Sequence, residues 1–248
     1  MIDVSAVEYW TTRFRGWRRS MMEYAVIPWT LLGMAKIPDS HDEIRLMQRG
    51  SEFSIMLGQN ELMNSRLGGS EAALAKLAFE RMRAAAAPRV LIGGLGMGFT
   101  LRAALAAVGP EARITVAELV PAVVAWARGP MAEVFGTSLG DSRVGIHEGD
   151  VGPLIRAGRS AYDAILLDVD NGPDGLSRTA NDALYDAAGL RSAFVALRGG
   201  GVFAVWSSGP DARFSQRLRK AGFEVVEIPV RADGKRGVRH IVWVAKRR

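Results

Sequence analysis

The sequence predicts an α/β fold: a doubly wound, mostly parallel seven-stranded sheet that closes on an antiparallel C-terminal hairpin and is preceded by a small N-terminal β-hairpin region. Three observations predict it. Between residues 89 and 206, short apolar runs alternate with amphipathic stretches, the β-α-β rhythm of a parallel sheet. The glycine loop Gly94-Leu95-Gly96-Met97-Gly98 links the first of those runs to a helical pattern. The last two apolar runs, 223–229 and 240–245, are joined directly with no helix between them, which makes them an antiparallel pair.

Residues 1–35 read as an aromatic and basic N-terminal arm, with Trp10, Phe14, Trp17 and Trp29 available to pack on the domain or on a second subunit. Arg18-Arg19 ahead of an apolar stretch has a loose likeness to a secretion signal. Glu23 and Pro28 interrupt that stretch, and its apolar run is too short to span a bilayer. In residues 36–65, Ile44, Leu46, Phe53, Ile55 and Leu57 alternate with polar positions and Gly58-Gln59-Asn60 supplies turn chemistry, the pattern of a β-hairpin. Residues 66–248 form the larger, Rossmann-type domain. There Ser70 is expected to cap a helix running to about Ala87, with Pro88 stopping it. Strands are expected at 89–92, 114–119, 144–147, 164–167 and 202–206, and helices at 99–108, from Pro121, and at 181–197, with Gly199-Gly200-Gly201 as the link into the fifth strand.

With 248 residues, 48% of them hydrophobic and 23% charged, the chain is able to bury a core without disulfide or metal. Cysteine is absent, which excludes thiolate nucleophiles and cysteine-ligated zinc and suits a cytoplasmic protein. His41, His147 and His240 lack metal-ligand spacing and read as structural or surface residues. The net charge of +6 is concentrated in residues 211–248, with eleven Lys/Arg against four Asp/Glu. Arg213, Arg217, Arg219 and Lys220 fit the wet face of an amphipathic helix, so neither a nucleic acid nor a membrane is the expected partner.

In doubly wound sheets ligands sit beyond the carboxyl ends of the strands, and those positions are unusually polar in this sequence. Gly94, Gly96 and Gly98 allow a ligand to approach the backbone closely. Glu118 ends the second strand, where an acid accepts both hydroxyls of a ribose. Asp150 ends the third, where a carboxylate accepts from an adenine amine or simply caps a helix. Tyr162-Asp163 through Asp168-Val169-Asp170-Asn171-Gly172-Pro173 places acids at the mouth of the fourth strand. There Asp168 is the candidate base, holding an amine while it attacks a carbon bound to a sulfonium. Asp170 is either a second member of that cluster or a bystander, and Trp206 either walls an acceptor pocket or completes the core.

Taken in order, these residues resemble the spermidine synthase (polyamine aminopropyltransferase) family. The likeness covers about residues 44–230 and rests on the hairpin, Ser70-Glu71, Val90-Leu91-Ile92-Gly93-Gly94, Leu101-Arg102, Glu118, Gly149-Asp150, Tyr162-Asp163 through Asp168, and Gly199-Gly200-Gly201-Val202. It implies a methyltransferase-like Rossmann domain behind an N-terminal β-domain, assembly of at least a homodimer, and no metal. By residue it implies Glu118 on the ribose, Asp150 on the adenine and Asp168 on the attacking amine, with Glu71, Asp170, Asn171 and Trp206 as candidates for the acceptor side.

Three positions depart from that pattern. The aspartate that receives the donor's aminopropyl ammonium reads Met97, the second acid reads Asn171, and the tyrosine expected two residues before Glu71 reads Gly69. A polyamine would lack those partners for its charges. Arg66 lies in the loop that the resemblance places beside the donor tail, where a guanidinium fork suits the carboxylate of intact S-adenosylmethionine. The sequence therefore reads as a transferase that takes S-adenosylmethionine, or its decarboxylated form, as donor and a small amine as acceptor, with methyl transfer preferred over aminopropyl transfer. A non-catalytic nucleoside-binding or assembly protein and a dinucleotide dehydrogenase are the alternatives.

Overall fold

Strand alternation sorts the apolar residues of the parallel strands into two layers, and the whole architecture follows from filling both. The computed structural model describes residues 27–169, 183–233 and 237–248. It opens with four antiparallel strands in the order β1 (Thr30–Lys36), β2 (Glu43–Arg49), β3 (Glu52–Leu57) and β4 (Asn60–Asn64). The expected hairpin is thus the centre of a larger sheet that begins at Thr30, among residues read as part of the arm. Strand β1 hides from periodicity because Leu31, Leu32 and Met34 are all exposed. Trp10, Phe14 and Trp17 lie outside the described residues, and Trp29 carries the Arg49 guanidinium 4.7 Å above its ring.

The main domain runs α1 (Gly69–Arg81), β5 (Arg89–Gly93), α2 (Phe99–Ala107), β6 (Arg113–Glu118), α3 (Pro121–Arg128), α4 (Ala132–Phe135), β7 (Val144–Glu148), α5 (Val151–Ala157) and β8 (Tyr162–Leu167). It continues through α6 (Ala187–Ala196), β9 (Leu197–Ser207), α7 (Ala212–Lys220), β10 (Glu224–Arg231) and β11 (Arg239–Lys246). The seven strands lie in the order β10-β11-β9-β8-β5-β6-β7. The five inner and far strands are parallel, while β11 runs antiparallel to β9 and β10 to β11. The expected parallel sheet and closing hairpin are both present.

Val90, Ile92, Ala164 and Leu166 face one layer, where α1, α2, α3 and the buried Ile44, Leu46, Phe53 and Ile55 of the small sheet cover them. Leu91, Ile165, Leu167, Phe203 and Val205 face the other, under α5, α6 and α7. Burial on both faces explains why these strands read as continuous apolar runs. Helix α7 buries Phe214 and Leu218 and leaves Arg213, Arg219 and Lys220 in solvent, while Arg217, expected on the same wet face, is half-buried and pairs with Asp211 at 3.2 Å. Among the described residues no helix is long and apolar enough to cross a membrane.

Three local expectations change. Helix α1 ends at Arg81 and not near Ala87, because the Arg83 N–H is held by the Gly200 carbonyl at 3.0 Å and pulls the alanine run off the helix axis. Ser70 lies inside α1, after an N-cap at Gly68 that has no capping side chain; its hydroxyl donates to Glu71 at 2.6 Å. The three glycines 199–201 fall within β9, whose pairing with β8 jumps from Tyr162↔Leu197 to Ala164↔Val202. Gly200 has φ +80° in that bulge. Glycine there accommodates a slipped ladder, a role that resembles a loop when only sequence is seen.

Candidate active site

The strand order reverses at β5, with β6 on one side and β8 on the other, and the ends of these three strands define a cleft. From the end of β5 the chain enters the glycine loop, in which Gly94, Gly96 and Gly98 have φ of +91°, +51° and +73°. The Gly94 N–H donates to the Ala117 carbonyl at 2.8 Å, and the Asp168 N–H to the Gly93 carbonyl at 2.9 Å, so the loop is tied to both neighbouring strands. Arg102 closes it from below by donating to the Met97 and Val134 carbonyls at 2.9 and 2.8 Å.

Glu118 ends β6 and is buried. One carboxylate oxygen accepts from the Leu95 N–H of the glycine loop and the other from the Val120 N–H, both at 2.9 Å. Burial raises its pKa, and these backbone donors oppose the rise. Asp150 caps α5, one oxygen accepting from the Gly152 N–H at 2.8 Å, and the residue also lines the cleft.

Asp168 follows β8 and stands where two lobes of the cleft meet. The larger lobe, about 880 Å³ and open to solvent, has Gly94, Gly96, Glu118 and Asp150 on its floor. Its roof is apolar and comes from the small sheet: Ile44, Ile55, Leu57, Leu62 and Met63. The second lobe is lined by Asn64, Glu71, Met97, Phe99, Asp168 and Trp206. The Thr100 hydroxyl donates to the Asp168 carboxylate at 2.7 Å. Burial, reinforced by the negative charge of Glu71, pushes the Asp168 carboxyl up to about 7, against the lowering effect of Thr100. Thr100→Val should therefore raise that pKa further, by about one unit for the loss of one hydrogen bond to the ionised form. A pH titration of the Asp168 carboxyl carbon by NMR checks this.

Not every candidate converges here. Arg66 does not line either lobe: its guanidinium sits with Glu52 and Glu61 at 3.5 and 3.3 Å. Asn64 is the cause, since its side-chain oxygen accepts from the N–H groups of Arg66 and Leu67 and turns the chain there. The carboxylate-binding role expected of Arg66 loses its basis. Met97 is buried in the second lobe, and Trp206 walls it, 8% exposed. Asp170 and Asn171 lie outside the described residues. Among the described lining residues of both lobes there is no lysine or arginine.

Sequence reasoning missed Thr100, which sits in a helical pattern 68 residues from its partner. It also took His240 for a residue without a site, whereas its ring packs 4.7 Å from that of Trp206.

No family model matches this chain, and no curated protein matches it by sequence. Solved structures do match by shape. Spermidine synthase from Thermotoga maritima has a TM-score of 0.69 at 16% identity over 88% of this chain and 72% of its own. A spermidine synthase in complex with the transition-state analogue AdoDATO gives the same figures, with a TM-score of 0.69. A probable spermidine synthase from Corynebacterium glutamicum ATCC 13032 has a TM-score of 0.57 at 18% identity over 88% of this chain and 79% of its own. The chain has the spermidine synthase-like fold, with its methyltransferase-like Rossmann domain and separate N-terminal sheet.

Proposed function

We propose that this protein transfers the aminopropyl group of decarboxylated S-adenosylmethionine to a small amine. The observation that carries the reading is the pairing of Asp168 with Glu71 in a cleft whose described lining has no cation. Such a site suits positive groups, an ammonium and a sulfonium, and none of its described lining residues offers a counter-charge to the carboxylate of the intact donor. The fold shared with a spermidine synthase bound to a transition-state analogue supports the same choice.

Glu118 and Asp150 would hold the ribose and adenine of the donor under the apolar roof. Asp168 would take a proton from the acceptor ammonium, leaving a nitrogen lone pair free. That lone pair forms a bond to the carbon on sulfur as the carbon–sulfur bond breaks, and the departing electron pair stays on sulfur as a neutral thioether. What the protein contributes is alignment and exclusion of water, together with a base whose pKa sits near neutral pH. Met97 supports a second reading, methyl transfer from the intact donor, since a methionine gives the aminopropyl ammonium no counter-charge on that side.

Calorimetry with both donors tests the choice. The decarboxylated form should bind at least about tenfold tighter than S-adenosylmethionine, the difference expected when a carboxylate is desolvated without a partner. Arg66→Ala should leave both affinities unchanged. Tighter binding of the intact donor, weakened by that substitution, would favour methyl transfer; binding of neither donor would favour a non-catalytic protein.

A further inference from the structure

The two lobes of the cleft share a boundary of four described residues. Leu62, Met63, Gly96 and Asp168 line both lobes, whereas every other described lining residue belongs to one of them. Finding Leu62 and Met63 together is unexpected, because consecutive residues of a regular strand face opposite sides. A bulge resolves it. Ile55 pairs with Met63 and Met56 with Glu61, so Leu62 is the extra residue of β4, and Met63 shares the cleft-lining face of Ile55. Bulges of this kind re-aim side chains beside active sites.

Gly96, below Met63, locates the end of that side chain. A Cβ built on Gly96 would lie 3.2 Å from the Met63 Sδ and 3.9 Å from its Cε, so the thioether rests on the glycine loop at the line between the lobes. Roof and floor touch there. In the proposed transfer the aminopropyl chain has to cross that line, since Glu118 and Asp150 lie in the larger lobe and Glu71 in the second. Little else at the boundary is able to yield. Gly96 has no side chain, and the Asp168 carboxylate is held by the Thr100 hydroxyl at 2.7 Å. Met63 is half-buried, unbranched and polarisable, so it swings aside and packs on a new neighbour at low cost.

Building on the transferase reading, we infer that Met63 is a positioning residue that partitions donor from acceptor: the group on the donor's sulfur displaces the thioether from Gly96. The displaced side chain then packs along that group and holds it toward the amine at Asp168.

Two nucleosides test this on the full-length protein. Methylthioadenosine and decarboxylated S-adenosylmethionine share the adenosyl group, the sulfur and its methyl, and the second adds the aminopropyl chain and the sulfonium charge. With isotope-labelled methionine methyls, and the Met63 signal assigned by its loss in Met63→Leu, that signal should shift strongly with the decarboxylated donor and little with methylthioadenosine. Met63→Ile is stiff at its branched β-carbon and does not fold back from Gly96. In calorimetry it should weaken binding of the decarboxylated donor about tenfold and of methylthioadenosine by less than about threefold. The wild-type resonance does not depend on the variant folding. Equal shifts with the two nucleosides, or an equal effect of Met63→Ile on both affinities, overturn the inference and leave the transferase reading intact. Failure of the decarboxylated donor to bind the wild-type protein overturns both.

Discussion

Asp168→Asn is expected to lower kcat for the proposed transfer by about 10²- to 10⁴-fold, the usual worth of a positioned general base. Binding of methylthioadenosine should change by less than about threefold, because the substitution keeps shape and the Thr100 hydroxyl finds an amide oxygen in place of the carboxylate. The wild-type rate should rise as the pH passes about 7, where the Asp168 carboxyl gives up its proton, and this limb should vanish in the variant. Glu71→Gln removes the negative charge that reinforces burial, so in that variant the limb should move to lower pH.

The same carboxyl links activity to stability. Its folded pKa is raised from 3.8 to about 7, so between those values the folded protein keeps a proton that the unfolded chain has released. The stability attached to this group is full below the lower value and is lost as the pH rises through the upper one. A displacement of that size carries up to about 4 kcal/mol, and water at the cleft mouth reduces it to about 2 kcal/mol. At pH 8, Asp168→Asn should accordingly be more stable than wild type in urea denaturation, and at pH 4 the two should coincide. A variant that is inactive and no more stable at pH 8 would mean that the carboxyl is not held in this raised state.

Gly94→Ala is the second large effect, and it should both destabilise the protein by at least about 3 kcal/mol and weaken donor binding more than about 100-fold. Gly94 has φ +91°, and a Cβ there would lie 2.4 Å from the main-chain oxygen of Asp168 and 3.1 Å from its carbonyl carbon. Those atoms belong to the backbone leaving β8, which pairs with β5 through Gly93↔Leu167 one residue earlier. No side chain rotates to relieve the contact, so the two strand ends must part, and the Asp168 carboxylate moves with them. Gly96→Ala is the control. Its φ is +51°, in the left-handed region that side chains tolerate best, and its added methyl would meet the flexible Met63 sulfur at 3.2 Å. About 1 kcal/mol is expected there. Calorimetry and urea denaturation on the two variants compare them, and equal losses would contradict the role given to the Gly94 contact.

The parts of the site that could be read from sequence are those fixed by strand ends. Glu118, Asp150 and Asp168 each close an apolar run, and a parallel sheet brings such ends to one edge whatever the helices do. What was not legible depends on contacts between residues far apart in the chain. Thr100 reaches Asp168 only because β5 and β8 are neighbours, and the alanine run after Arg81 leaves its helix because a carbonyl at Gly200 captures Arg83. Arg66 misled for a related reason. It lies near the site in sequence, but Glu52 and Glu61 hold its guanidinium among themselves, and sequence distance carries no information about which way a residue turns after a strand. Strand β1 escaped because its leucines and methionine face solvent and give no alternation to detect.

The cleft has a floor and a ceiling of different origin. Glu118, Asp150 and Asp168 sit at the ends of the parallel strands, the first two held by backbone N–H groups and the third by the Thr100 hydroxyl, whereas Leu62 and Met63 hang over both lobes and Asn64 over the second from β4, an outer strand of the small sheet. An outer strand has one neighbour to satisfy instead of two, so its side chains change at low cost to the ladder. Chemistry and shape are thus written on separate supports. Exchanging the three overhanging residues would remould the volume offered to an acceptor while the carboxylates beneath stay in register, which makes β4 the natural place to begin redesigning what this scaffold accepts.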